Sequence, residues 1–151
     1  MKNIEKIFSK EFILQRIDVL KADKRAEIFE LPPYRVEIQP TSYCNRKCSC
    51  CSHEIRNKTA TEISYHTFSK LLESLRMCGC KNLSFSGGGE PFLWKRGKLL
   101  EAVRAAARFA DVTLTTNGDG FMDLDDNVNK EFLNLCSAII LNTPATNEEL
   151  Y

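Results

Sequence analysis

Leu83-Ser84-Phe85-Ser86-Gly87-Gly88-Gly89-Glu90-Pro91 sets a short apolar run directly before three glycines, a carboxylate and a proline. An apolar run bounded by glycine reads as a strand entering a loop. Downstream, Leu99, Leu100, Val103, Ala106, Ala107 and Ala110 recur at helical spacing, so the loop joins a strand to a helix. Upstream, Phe68, Leu71, Leu72 and Leu75 mark one helix face, with Ser64 as N-cap, Ile63 before it and Gly79 as the stop. Further back, Tyr34, Val36 and Ile38 alternate with Arg35, Glu37 and Gln39; that period predicts a strand, which Pro40 ends. On the far side come a strand over Val112 to Thr115, a turn at Asn117-Gly118, a helix marked by Val128, Phe132 and Leu135, and a strand over Ala138 to Leu141. Thr146 is placed to cap a last helix that begins at Asn147 and is cut after a single turn. Strands alternating with helices predict an α/β fold, a parallel sheet or barrel of about four βα units. The cut helix makes a truncated barrel the expectation.

The chain has 151 residues, 43% hydrophobic and 27% charged. That is the composition of an ordinary folded domain, not of a collagen-like, low-complexity or disordered chain. Twenty-one Lys and Arg against 20 Asp and Glu leave a net charge of +1, which gives no electrostatic case for a nucleic-acid or anionic-membrane partner. Lys2, Glu5 and Lys6 interrupt the N-terminus, unlike a signal peptide. No apolar run approaches the roughly 18 residues of a membrane-spanning helix. A cytoplasmic location is the expectation. Ile4, Ile7, Phe8, Phe12, Ile13, Ile17 and Leu20 form an imperfect helical stripe that Pro32-Pro33 ends. The expected organisation is therefore an N-terminal helical extension over 1–31 and a core over 32–151.

Seven cysteines stand at Cys44, Cys48, Cys50, Cys51, Cys78, Cys80 and Cys136. Four of them crowd into one loop, which a disulfide framework does not explain in a chain without a secretion signal. Soft thiolates select zinc, copper(I) or iron–sulfur clusters. Cys44, Cys48 and Cys51 give the spacing C-x3-C-x2-C; three thiolates on one loop can hold three corners of a cubane and leave the fourth iron open. Zinc fits the cysteines alone equally well, with Cys50 or His53 as fourth ligand. Cys78 and Cys80 make a poor second pair and read as thiols buried at a helix end, and Cys136 as a small buried hydrophobe.

The glycine run lets backbone approach a ligand closely, and Glu90 sets a carboxylate beside it, suited to an ammonium group. Taken alone it equally fits a plain strand-to-helix turn. No Lys-Ser/Thr follows at the offset of a phosphate loop. The two motifs together resemble the radical S-adenosylmethionine (SAM) superfamily. The residues that carry the resemblance are Arg35 to Thr41, then Cys44-Asn45-x2-Cys48-x2-Cys51, then Ser86 to Pro91, Thr115-Thr116-Asn117-Gly118, and Leu141 to Thr146.

The resemblance implies a partial barrel in which Cys44, Cys48 and Cys51 hold a [4Fe–4S] cluster. SAM chelates the open iron, and the loop of Gly87, Gly88, Gly89 and Glu90 holds its methionine amino group. It further implies reductive cleavage to a 5′-deoxyadenosyl radical, hydrogen abstraction from a substrate, and an electron donor such as a flavodoxin or ferredoxin. Thr115, Asn117 and Asn142 are expected in the SAM pocket, Asn142 towards the ribose. The protein's part is to position the cofactor and exclude water. Cys50 stands where the family often has an aromatic residue near the adenine. Arg35, Glu37 and Gln39 share a strand face and would touch substrate if it turns inward; a solvated face is the plainer reading. His53 and His66 read as loop and helix-surface residues. The family's core usually has six βα units, so either a partner chain or the missing segment is expected to cover the open edge. Two other functions are carried: a zinc-binding structural or interaction module, and an inactive truncated barrel fragment.

Overall fold

The computed structural model describes residues 14, 17, 31–48, 51, 61–94 and 97–142. Four strands, β1 (Arg35–Ile38), β2 (Asn82–Phe85), β3 (Asp111–Thr116) and β4 (Ala138–Leu141), form one sheet in the order β1-β2-β3-β4. Every neighbouring pair is parallel. Helix α1 (Tyr65–Met77) joins β1 to β2 and α2 (Lys98–Ala106) joins β2 to β3. A single turn, α3 (Asp119–Met122), and then α4 (Asp126–Leu135) lead from β3 to β4. Each unit adds its strand beside the last, which is how a parallel barrel grows. The α/β class and the parallel sheet expected from the alternation are what the chain forms. The expected helix after Thr146 and most of the 1–31 extension lie outside the described residues; Leu14 and Ile17 are helical. No helix among the described residues is long and apolar enough to cross a membrane.

Register explains the core. Val36 pairs with Leu83, Leu83 with Val112, and Leu114 with Ile139. Because side chains alternate across a strand, these residues share one face with Ile38 and Phe85, and that face carries the helices. Phe68, Leu72 and Leu75 of α1, Leu99, Ala102, Val103 and Ala106 of α2, and Phe132 of α4 are buried against it. Helix α2 touches α1, α4 and β3, and its alanines let it lie close. The opposite face carries Arg35, Glu37, Ser84, Thr113 and Thr115.

The helix ends match their sequence signals. Ser64 Oγ accepts a hydrogen bond from Thr67 N at 3.0 Å. At the other end Gly79 takes a left-handed φ of 78°. Gly79 N donates to Arg76 O and Cys80 N to Leu75 O, the paired closure that favours glycine just past a helix. Two elements had no periodicity to announce them: the 3-10 turn Pro91–Leu93 and α3. The first carries Trp94 into the core. Trp94 is fully buried, its Nε1 donates to Ile63 O at 2.9 Å, and its ring meets Phe68 edge-on at 5.1 Å.

Trp94→Ala is expected to destabilise the fold by about 3–5 kcal/mol in urea unfolding. Arg76→Ala, at the exposed pair with Glu73, should leave the midpoint unchanged. A Trp94 variant as stable as the parent would contradict this account of the core.

Candidate functional site

Beyond the carboxyl ends of the strands, the segments that follow β1, β2, β3 and β4 converge on a cavity of about 230 Å³. Cys44, Cys48 and Cys51 line it from the first segment and Gly87, Gly88, Gly89 and Glu90 from the second. Thr115 and Asn117 line it from β3 and its exit, and Asn142 from the end of β4. The residues expected from the resemblance to hold the cluster and SAM thus border one space. Strand carboxyl ends are where parallel α/β folds gather ligand-binding loops.

The cysteine loop is closed at its neck. Thr41 and Glu62 form an antiparallel bridge, Ser42 N donates to Thr61 O at 2.8 Å, and Ile63 N donates to Pro40 O at 2.9 Å. Cys44 and Cys48 are half-buried and Cys51 is exposed, all as free thiols. A turn is closed by Cys51 N donating to Cys48 O at 2.9 Å, and Arg46 N donates to Cys44 Sγ at 3.5 Å. Among the described residues no three His, Cys, Asp or Glu side chains stand close enough to hold a metal ion. The three thiols therefore border the cavity without converging on one point. Their chemistry fits a soft centre such as an iron–sulfur cluster, and the rest of the lining is largely glycine, threonine and asparagine. Cys50 and His53 lie outside the described residues.

The glycine loop packs directly on the start of the cysteine loop. Gly87 and Gly88 take φ of 55° and 73°, the left-handed region that favours glycine. A Cβ on Gly89 would stand 2.2 Å from Tyr43 O, so only glycine fits. Glu90 N donates to that same oxygen at 2.7 Å. The Glu90 side chain is 3% exposed, and its oxygens serve the chain itself. Oε1 accepts from Thr116 Oγ1 at 2.7 Å and from Phe92 N at 3.2 Å, and Oε2 accepts from Asn117 N at 2.7 Å.

A second cluster adjoins the first. Asp119 Oδ2 accepts from Arg46 Nε at 2.9 Å and from Asn45 Nδ2 at 2.7 Å, and Oδ1 accepts from Arg46 Nη2. Asn117 Nδ2 donates to Asn45 Oδ1 at 2.8 Å, and Asp119 N donates to Asn117 Oδ1 at 3.0 Å. The hydrogen bonds from Arg46, helped by Asn45, hold the Asp119 carboxyl below its ordinary value against the opposing effect of burial. Sequence reading singled out neither Arg46 nor Asp119, because the partners stand 73 residues apart.

The remaining singled-out residues lie elsewhere. Arg35, Glu37 and Gln39 are exposed on the face away from the helices. Arg35 Nη2 donates to Ser84 Oγ at 2.9 Å, while Glu37 and Gln39 flank Gly87 and Gly88. Cys78 and Cys80 differ: Cys80 is buried as expected, but Cys78 is exposed, because the last turn of α1 sets it on the solvent side. Cys136 is half-buried, and burial pushes its thiol up to about 12. His66 is exposed on α1.

The family model described as Radical SAM superfamily matches residues 38–142, the stretch that holds both loops. A protein named probable GTP 3′,8-cyclase from Methanopyrus kandleri is 34% identical over 83 residues, 55% of this chain and 26% of that protein. An S-adenosylmethionine-dependent nucleotide dehydratase RSAD2 from Siniperca chuatsi is 30% identical over 100 residues, 64% of this chain and 27% of that protein. The solved structure of BtrN in complex with AdoMet and 2-DOIA aligns over 77% of this chain and 48% of its own, with a TM-score of 0.62 at 24% identity, a likeness of fold. The chain spans about a quarter of the length of these curated relatives and about half of BtrN.

Two outcomes follow from the geometry. Glu90→Ala strips three donors of their acceptor, and unsatisfied buried donors cost about 1–3 kcal/mol each; the expected fall in stability exceeds that of Glu37→Ala in the same urea titration. Cys136, with its thiol raised to about 12, should stay protonated at pH 8 and alkylate more slowly than Cys51. The sign is that of a raised pKa. Its stabilising contribution is whole below the unfolded value of about 8.5 and is lost as pH climbs towards 12.

Proposed function

The chain belongs to the Radical SAM superfamily, and we propose that it holds a [4Fe–4S] cluster on Cys44, Cys48 and Cys51 and cleaves S-adenosylmethionine in the adjoining cavity. The observation that carries this reading is the meeting of those three thiols with the Gly87–Gly89 backbone around one cavity. Zinc ligation by the cysteines would ask nothing of the glycine loop.

In this reading a cluster held by Cys44, Cys48 and Cys51 would supply one-electron reduction for cleavage of a carbon–sulfur bond of SAM, the chemistry that would lead to hydrogen abstraction from an organic substrate. The chain's residues do the positioning. The open backbone of Gly87, Gly88 and Gly89 receives the methionine amino group; a Cβ on Gly87 or Gly88 would crowd Gln39, and one on Gly89 would meet Tyr43 O, so side chains there would displace the loop. Glu90 acts behind this surface, its buried carboxylate fixing the loop against β3. Thr115, Asn117 and Asn142 offer hydroxyl and amide groups to the rest of SAM from the ends of β3 and β4. A small reductant of the flavodoxin or ferredoxin class is the proposed electron source. The relatives are named for GTP cyclisation and for nucleotide dehydration, so the stretch they share with this chain is read as the part common to SAM chemistry.

Anaerobic reconstitution with iron and sulfide tests the reading, followed by electron paramagnetic resonance of the reduced protein with and without SAM and an assay for 5′-deoxyadenosine. The expected result is a cluster signal that changes when SAM is added, with cleavage product, and loss of both in Cys48→Ala. Stoichiometric zinc with no cluster would overturn it.

A further inference from the structure

We infer that Asp119 is a positioning residue that tethers the Cys44–Cys48 arm of the cysteine loop to the end of β3 and so prepares its thiols to take up a cluster. The inference rests on the proposed reading for what the thiols hold, but the tether itself is a property of the chain. Three features separate this contact from an ordinary surface ion pair. Its geometry is a fork: Nε and Nη2 of Arg46 both donate to the carboxylate, an arrangement that fixes orientation as well as distance. It is also backed on both sides. Asn45, next to Arg46, donates to the same carboxylate, and Asn117 donates to Asn45 while accepting from the Asp119 backbone. Lastly, it reaches Cys44 from within the loop, because Arg46 N donates to that sulfur.

The pair of Arg104 and Glu131 is a useful contrast. It has a comparable fork but joins two helix surfaces that the core already holds together. Arg46 belongs to a loop whose described backbone bonds outside the neck are few, namely the Cys48–Cys51 turn and the contact of Tyr43 with Glu90. Between those two points the Asp119 cluster fastens the arm to the segment that follows β3. Loop segments open locally at lower cost than the core, so removing the fork should raise exposure of Cys44 and Cys48 without disturbing the core.

The test compares the full-length metal-free chain with Asp119→Asn, which keeps the shape and removes the charge, and with Asp119→Glu, which keeps the carboxylate. Iodoacetamide labelling is timed and mapped by mass spectrometry, with half-buried Cys136 as internal reference. Asp119→Asn is expected to speed labelling of Cys44 and Cys48 by about tenfold, the scale of a lost charge-assisted tether, with Cys136 unchanged. Asp119→Glu should retain most of the protection. On reconstitution, Asp119→Asn should take up less iron per chain than the parent. Unchanged labelling of Cys44 and Cys48, or an equal rise at Cys136, would overturn the tether. A parent chain that takes up no cluster would instead sink the reading of the site, while the labelling still decides the tether.

Discussion

The carboxylate of Glu90 is the contact on which the site depends. A buried carboxylate is costly unless its lone pairs are used, and here a hydroxyl and two backbone amides use them. Those donors belong to the end of β3 and to the turn after the glycine loop, while Glu90 N reaches back to Tyr43. One residue thus joins the segments that follow β1, β2 and β3. Gly89 can lie against Tyr43 because this junction holds it there, and Asn117 is turned towards Asn45 because its own amide is committed to Glu90. The Asp119 cluster is the outward continuation of the same junction.

Apolar packing and polar side chains are kept on opposite sides of the sheet. The helix-covered face contributes Val36, Ile38, Leu83, Phe85, Val112 and Leu114 to one core with α1, α2 and α4. Parallel sheets are normally covered on both faces, yet the second face here is polar. Ser84 is fully buried on it, beneath its bond to Arg35. An apolar second face would be the natural choice if packing were its purpose. Polar side chains at Arg35, Glu37, Ser84 and Thr113 suit a surface that meets solutes, and Glu37 and Gln39 continue it up to the glycine loop.

The order of strands and helices was legible because each rests on local physics. Alternation across Tyr34 to Gln39 announced β1, four leucine and phenylalanine positions announced α1, and Ser64 and Gly79 bounded it. Most residues bordering the cavity were also legible, Arg46 excepted, since glycine runs and cysteine spacings are short-range signals. What escaped was long-range or aperiodic. Trp94 enters the core from a three-residue turn with no period to read, and α3 is a single turn. The pairing of Arg46 with Asp119 depends on the segments after β1 and β3 being brought together by the sheet. The use of Glu90 escaped for a related reason: its position beside the glycines suggested a free carboxylate, and only the fold supplies the donors from Thr116 and Asn117.

These departures share a location. Two glycines at positive φ, a buried acid, free thiols and a close backbone contact at Gly89 are each unfavourable for a chain selected only for stability. They sit together at the strand ends, while the helices and the covered sheet face follow ordinary packing rules. Strain and buried charge persist only where surrounding structure over-determines them. The neck at Thr41 and Glu62, the Trp94 anchor to Ile63 and the Glu90 junction are what over-determine this corner. The loop can carry three free thiols beside a cavity because its two ends are fastened to the sheet and its first arm to Asp119.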